Sequence, residues 1–127
     1  GDHCVPTDDV APHGCRVLVC TDDGSVGRKG LVTDFVSALI EGNRLSAGDY
    51  VFACGPVPMF KSLQRLLDPL GIECEAATEE YMGCGFGVCY GCNLKQRQED
   101  GSVAYKLCCV DGCIFPLHTL VYEDESA

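Results

Sequence analysis

Apolar residues fall along the chain in short blocks with two different spacings. Residues 16–20 (RVLVC) form a brief apolar run that ends on Thr21, Asp22, Asp23, Gly24 and Ser25, the pattern of a buried strand entering a turn. Leu31, Val32, Phe35, Val36, Leu39 and Ile40 then recur at helical spacing, with Gly42 as the stop signal. Residues 50–54 (YVFAC) predict a second buried strand, broken by Gly55 and Pro56. Pro58 suits the first turn of a second helix, whose apolar face is Met59, Phe60, Leu63, Leu66, Leu67 and Leu70. Gly71 ends that helix, and residues 72–76 predict a third strand.

This β-α-β-α-β order places residues 16–80 in the α/β class, as part of a doubly wound parallel sheet. In such sheets ligands lie outside the carboxyl ends of the strands. That edge carries two candidate nucleotide loops, Thr21-Asp22-Asp23-Gly24-Ser25 and Cys54-Gly55-Pro56. The plain alternative for each is an ordinary strand-to-helix turn. After Glu80 the periodicity gives way to Gly and Cys, and residues 93–98 and 103–108 flank Glu99-Asp100-Gly101-Ser102 as a β-hairpin would. The expected organisation is a loose lead-in over 1–15, the α/β part over 16–80, a small Cys/Gly-rich subdomain over 81–117 and a fraying acidic tail over 118–127.

Composition narrows the function classes. A chain of 127 residues, 46% hydrophobic and 22% charged, suits one globular domain with a small appendage. Its net charge of −10, with Lys and Arg scattered, argues against nucleic acid as a partner. No apolar stretch approaches the roughly 18 residues of a membrane span, and no charged segment followed by an apolar one opens the chain. The expectation is a soluble, cytoplasmic protein.

Cysteine changes the picture most. Of eleven, those at 4, 15, 20, 54 and 74 are dispersed, whereas the other six crowd between Cys84 and Cys113. In a reducing compartment such density points to metal rather than to disulfides. Residues 83–92 read Gly-Cys-Gly-Phe-Gly-Val-Cys-Tyr-Gly-Cys, a C-x4-C-x2-C spacing with a fourth thiol downstream at Cys108 or Cys109. That is the plant-type spacing for a 2Fe–2S cluster. The glycines fit the same chemistry, because an anionic cluster must be approached closely by backbone N–H donors. A structural zinc site on Cys89, Cys92 and the Cys108/Cys109 pair is the competing assignment, and disulfide pairing would require oxidation. Adjacent residues on an extended strand face opposite ways, so one of Cys108 and Cys109 is expected to face the loop.

The stretch from Arg16 to about Leu117 resembles the C-terminal half of the electron-transfer subunit of dihydroorotate dehydrogenase, among the ferredoxin-reductase-like flavoproteins. The matching pieces are TDDGSVGRKGLVTD (21–34), VFACGPVPMF (51–60), EEYMGCGFGVCYGC (79–92) and CVDGCIF (109–115). The resemblance implies a 2Fe–2S cluster on Cys84, Cys89, Cys92 and Cys109, with NADH as electron source and FAD between NADH and the cluster. It implies an FMN-bearing catalytic subunit that oxidises dihydroorotate to orotate as partner. The family places the nicotinamide end of NADH at Cys54, Gly55 and Pro56, and Asp22 and Asp23 would favour NADH over NADPH unless they simply cap the turn. Related NADH:ferredoxin or sulfide-linked reductases share these features.

Three departures qualify the likeness. Cys113 stands where the family usually has proline after Asp-Gly. The flavin-binding barrel and the opening strands of the nicotinamide domain are missing, so FAD is expected only in a longer protein and NAD binding is expected to be weak or absent in this piece. In the family's sheet the missing strands lie between residues 16–20 and 50–54. The first strand must then pair anew, exchange with another copy of the chain, or detach.

Overall fold

The computed structural model describes residues 14–122. Its centre is a three-stranded sheet with one helix laid across it. Strand β3 (Tyr50–Cys54) pairs in parallel with β4 (Glu73–Ala77), from Tyr50 opposite Glu73 to Cys54 opposite Ala77. The crossover between them is helix α2 (Val57–Leu67), followed by a 3-10 turn over Asp68–Leu70. Pro56 and Pro58 fix the backbone at the helix start, where their missing N–H groups cost nothing. Gly71 ends the turn at φ +64°, a left-handed conformation that glycine adopts without penalty.

The core lies between α2 and this sheet. Phe60, Leu63 and Leu67 from the helix meet Ile72, Cys74 and Ala76 from the β4 segment, all at most 5% exposed. The third strand is one that the apolar pattern did not predict: β7 (Ile114–Pro116) pairs antiparallel with β4, Ala76 opposite Phe115. Leu117 and Leu120 follow it into the core, and Tyr122 stacks on Phe60 at a ring separation of 6.3 Å. Residues 118–122, expected to belong to a fraying tail, are therefore packed. Gln64 Nε2 holds them by donating to the carbonyls of Leu117 (2.7 Å) and Leu120 (2.8 Å). The remaining tail residues, 123–127, and most of the lead-in, 1–13, lie outside the described part.

The first predicted strand does not join this sheet. Only Cys20–Thr21 (β1) is extended in a ladder, and its partner is Arg28–Lys29 (β2), a few residues on in the same chain. The physical reason is local: Arg28 N–H donates to the Val19 carbonyl (2.9 Å) and Gly30 N–H to the Thr21 carbonyl (3.1 Å). A closed loop this short satisfies the backbone cheaply, with no partner from the distant sheet. Helix α1 (Val32–Glu41) follows, its Leu31 N–H capped by Asp34 Oδ2 at 2.9 Å. Strand β3 is not buried on both faces as its apolar sequence suggests. Phe52 is 75% exposed and Tyr50 50% exposed, the two rings 5.1 Å apart.

Strands β5 (Asn93–Arg97) and β6 (Val103–Leu107) form an antiparallel hairpin closed at Asp100, whose Oδ1 accepts from Ser102 N–H at 2.9 Å. Cys108 does not continue β6. Residues Cys108–Asp111 make one helical turn, α3, and Asp111 Oδ2 accepts from Leu107 N–H at 2.7 Å to start it.

Candidate metal centre

The cysteine loop over 81–92 has no regular secondary structure. It is held between β4, which leads into it, and β5, which leaves it. Its sulfurs gather in two pairs. Cys92 Sγ and Cys109 Sγ are 3.2 Å apart. Cys84 Sγ accepts N–H bonds from Val88 (3.3 Å) and Cys89 (3.5 Å), and the Cys89 thiol lies within hydrogen-bonding reach of it. Gly91 N–H reaches Cys89 Sγ at 3.4 Å, and the N–H of Gly87 is directed at Cys109.

These donors act most strongly on Cys84. Backbone N–H groups of Cys89, Phe86 and Val88 lower the Cys84 pKa to about 6, so the thiolate is held at neutral pH. Cys109 is displaced upward instead, chiefly because it shares a proton with Cys92. The backbone comes this near because two glycines leave room. A Cβ on Gly83 would sit 3.2 Å from Cys89 Sγ, and one on Gly87 (φ +85°) would be 2.8 Å from Cγ2 of Val110. The donor set thus fits an anionic cluster whose irons each take two thiolates. Among the described residues no three His, Cys, Asp or Glu side chains converge on one point.

Cys108 and Cys109 separate through a helical turn rather than through strand alternation. Cys108 is 3% exposed and turned inward, its Sγ 3.9 Å from Thr78 Oγ1 and 3.6 Å from the Thr78 carbonyl. Thr78 also donates through N–H (2.7 Å) and Oγ1 (3.1 Å) to the Cys113 carbonyl. Sequence reasoning missed this residue. It ties the end of β4 to the segment that carries Cys109, and a lone threonine after an apolar strand gives no signal of that role. The Cys113 side chain is exposed.

At the other edge, Cys20, Asp22, Leu31, Thr33, Pro56 and Met59 help line a cavity of about 420 Å³ between the starts of α1 and α2. It brings Asp22 and Pro56 from the two predicted loops together. Asp23 is engaged in its own turn, Oδ1 accepting from Ser25 N–H at 2.9 Å, which lowers its pKa. Thr21 Oγ1 donates to the Val26 carbonyl at 3.0 Å and Gly24 N–H to the Thr21 carbonyl at 3.2 Å, so the loop closes on itself. Cys54 is exposed at the end of β3. The space beside Gly55 is filled by Met59, whose Cε would lie 2.6 Å from an added Cβ.

Residues 79–121 match the family described as the iron–sulfur cluster binding domain of dihydroorotate dehydrogenase B, so the cysteine-rich third of the molecule is an iron–sulfur-binding domain. Over 100 residues the chain is 43% identical to the dihydroorotate dehydrogenase B (NAD(+)) electron transfer subunit of Caldanaerobacter subterraneus, covering 79% of this chain and 38% of that protein. The corresponding subunit of Fusobacterium nucleatum is 40% identical, with 79% and 36% covered. The chain is thus similar to dihydroorotate dehydrogenase B electron-transfer subunits, and it spans less than two-fifths of the length of these two relatives. The NADH-dependent reduced ferredoxin-NADP oxidoreductase, solved in work on flavin-based electron bifurcation, superposes with a TM-score of 0.64 at 31% identity. The match covers 82% of this chain and 34% of that one. The fold is accordingly a small mixed α/β domain of ferredoxin-reductase-like kind. No helix among the described residues is long and apolar enough to cross a membrane.

Proposed function

We propose that the chain passes electrons through a 2Fe–2S cluster bound by Cys84, Cys89, Cys92 and Cys109, within an NADH-linked flavoprotein that serves dihydroorotate oxidation in pyrimidine synthesis. The observation that carries this reading is the paired disposition of the four sulfurs inside a ring of backbone N–H donors. A bound cluster would supply one-electron storage between a flavin and the next acceptor. The chain's own part is to hold four thiolates ready and to neutralise their charge through N–H bonds that favour the reduced state. Cys92 is 2% exposed and anchors the inner side, whereas Cys89 opens to solvent.

The surface over the loop supports transfer to a docked protein. Between Tyr81 and Cys92 the sequence holds no charged residue. Tyr81 is 96% exposed, and Phe86, Val88, Tyr90 and Val110 are each at least 60% exposed. An uncharged apolar collar of this kind suits a catalytic subunit that covers the cluster and excludes water. On the resemblance read from the sequence, that subunit would bear FMN, and FAD would be held by a part of the subunit that this chain does not span. The likeness to the ferredoxin-NADP oxidoreductase favours a second reading within the same chemistry, in which a ferredoxin replaces the catalytic subunit.

Anaerobic reconstitution with iron and sulfide tests the cluster. The expected product is red-brown, with iron and acid-labile sulfide each at about two per chain, and gives a paramagnetic signal on one-electron reduction. A colourless protein that retains zinc under the same treatment would overturn the proposal.

A further inference from the structure

Thr78 stands at an apolar position. Along β4 the inward side chains are Cys74 and Ala76, at 5% and 0% exposure, and Thr78 continues that alternation at 7%. A hydroxyl buried there costs free energy unless it is bonded. The polar groups of Thr78 turn to one short segment of chain. Its N–H (2.7 Å) and Oγ1 (3.1 Å) both donate to the Cys113 carbonyl, and its own carbonyl accepts from Cys108 Sγ at 3.6 Å. Cys108 N–H in turn donates to the Cys92 carbonyl at 3.0 Å. The stretch from Cys108 to Cys113 is thus gripped at both ends, and the thiol between the grips is Cys109.

We propose that Thr78 is a positioning residue of the metal centre, which holds Cys109 Sγ at 3.2 Å from Cys92 Sγ by clamping both ends of the segment that carries it. The proposal rests on the reading of Cys92 and Cys109 as cluster ligands, and adds a residue that acts on them through Cys108 and Cys113. The turn α3 needs such a clamp. It has four residues, too few for a helix to hold itself, and Gly112 follows it at φ +102°. Without the Thr78 hydroxyl the Cys113 carbonyl loses a donor, and the turn is freer to swing Cys109 away from Cys92 and from the Gly87 N–H directed at it. N–H bonds to ligand sulfur favour the more negative, reduced state of a bound centre, so their loss moves its potential downward. The other pair is held separately, since Cys84 and Cys89 take their N–H bonds from Val88, Cys89 and Gly91 within the loop.

The test compares Thr78→Val, nearly the same shape without the hydroxyl donor, with Thr78→Ser, which keeps it, in the full-length, cluster-loaded protein. The readouts are the midpoint potential, from a redox titration followed by paramagnetic resonance, and the rate of iron loss to a chelator. Urea unfolding is measured alongside. Thr78→Val is expected to have a more negative midpoint potential and to lose iron about fivefold faster, the factor expected of one net hydrogen bond. Thr78→Ser should restore both to wild type. A Thr78→Val protein with the wild-type potential and iron-loss rate but a lower urea midpoint would overturn the proposal and leave Thr78 a packing residue. Should Thr78→Val fail to fold, Thr78→Ala removes the same donor without the bulk and is judged by the same two outcomes. Wild-type protein that takes up no cluster would instead remove the ligand reading on which the proposal stands.

Discussion

The two halves of this molecule are ordered by different forces. Around α2 the chain is held by apolar burial: Phe60, Leu67 and Leu117 are at most 2% exposed, and the β3–β4 ladder beneath is parallel and continuous. The cysteine loop has almost none of this. Its large apolar residues face outward, and its internal contacts are N–H bonds to sulfur. A hydrophobic core specifies itself, whereas a ring of donors around thiolates gains its stability when a metal centre is bound, because binding energy and folding energy are then the same quantity. The comparison predicts that damage to one half leaves the other measurably intact.

The largest effect should come from the thiolates. Serine at Cys84, Cys89, Cys92 or Cys109 should abolish or strongly alter the visible and paramagnetic signals, while far-ultraviolet circular dichroism stays near wild type. Serine at Cys108 or Cys113 should leave both unchanged. Loss of the signals in Cys108→Ser with retention in Cys109→Ser would reverse the roles assigned to the pair.

Next in size is Leu67→Ala in the core, expected to cost about 2–5 kcal/mol in urea unfolding, since the side chain is fully buried. Metal content per folded chain should not change. A parallel fall in iron would mean that the two halves are one cooperative unit.

Gly87→Ala attacks the loop through its backbone. It forces a Cβ to within 2.8 Å of Val110 and an L-residue to φ +85°, at about 1–3 kcal/mol. The measurement is iron retained after dialysis against a chelator, which should fall well below wild type. The smallest effect belongs to Gln64→Leu. It leaves the carbonyls of Leu117 and Leu120 without their side-chain donor and should cost about 0.5–1.5 kcal/mol in unfolding, with no change in the cluster spectrum.

What the sequence revealed follows the same division. The helices were legible because Phe60, Leu63 and Leu67 recur at 3- and 4-residue spacing, bounded by Pro58 and Gly71. The cluster loop was legible as a spacing of cysteines, which needs no fold to be read. Strand β7 was not, since Ile114, Phe115 and Pro116 are too few for a period and their partners lie far back in the chain, at Ala77, Ala76 and Glu75. The exposed face of β3 was hidden for the opposite reason. An unbroken apolar run such as YVFAC reads as burial on both sides, whereas the face that carries Tyr50 and Phe52 is open. The inward turn of Cys108 depends on α3, a helix of four residues that no pattern announces.

The clasp made by Gln64 has a consequence for how the protein comes into being. It joins residues 53 and 56 positions apart, and the whole cysteine loop lies within the span that it closes. During synthesis the loop leaves the ribosome before Leu117 and Leu120 do, so for a time its thiols are presented on a chain whose last layer has not arrived. The thiols of the loop therefore emerge on the nascent chain before the residues that close its core, and the order of emergence alone separates the two.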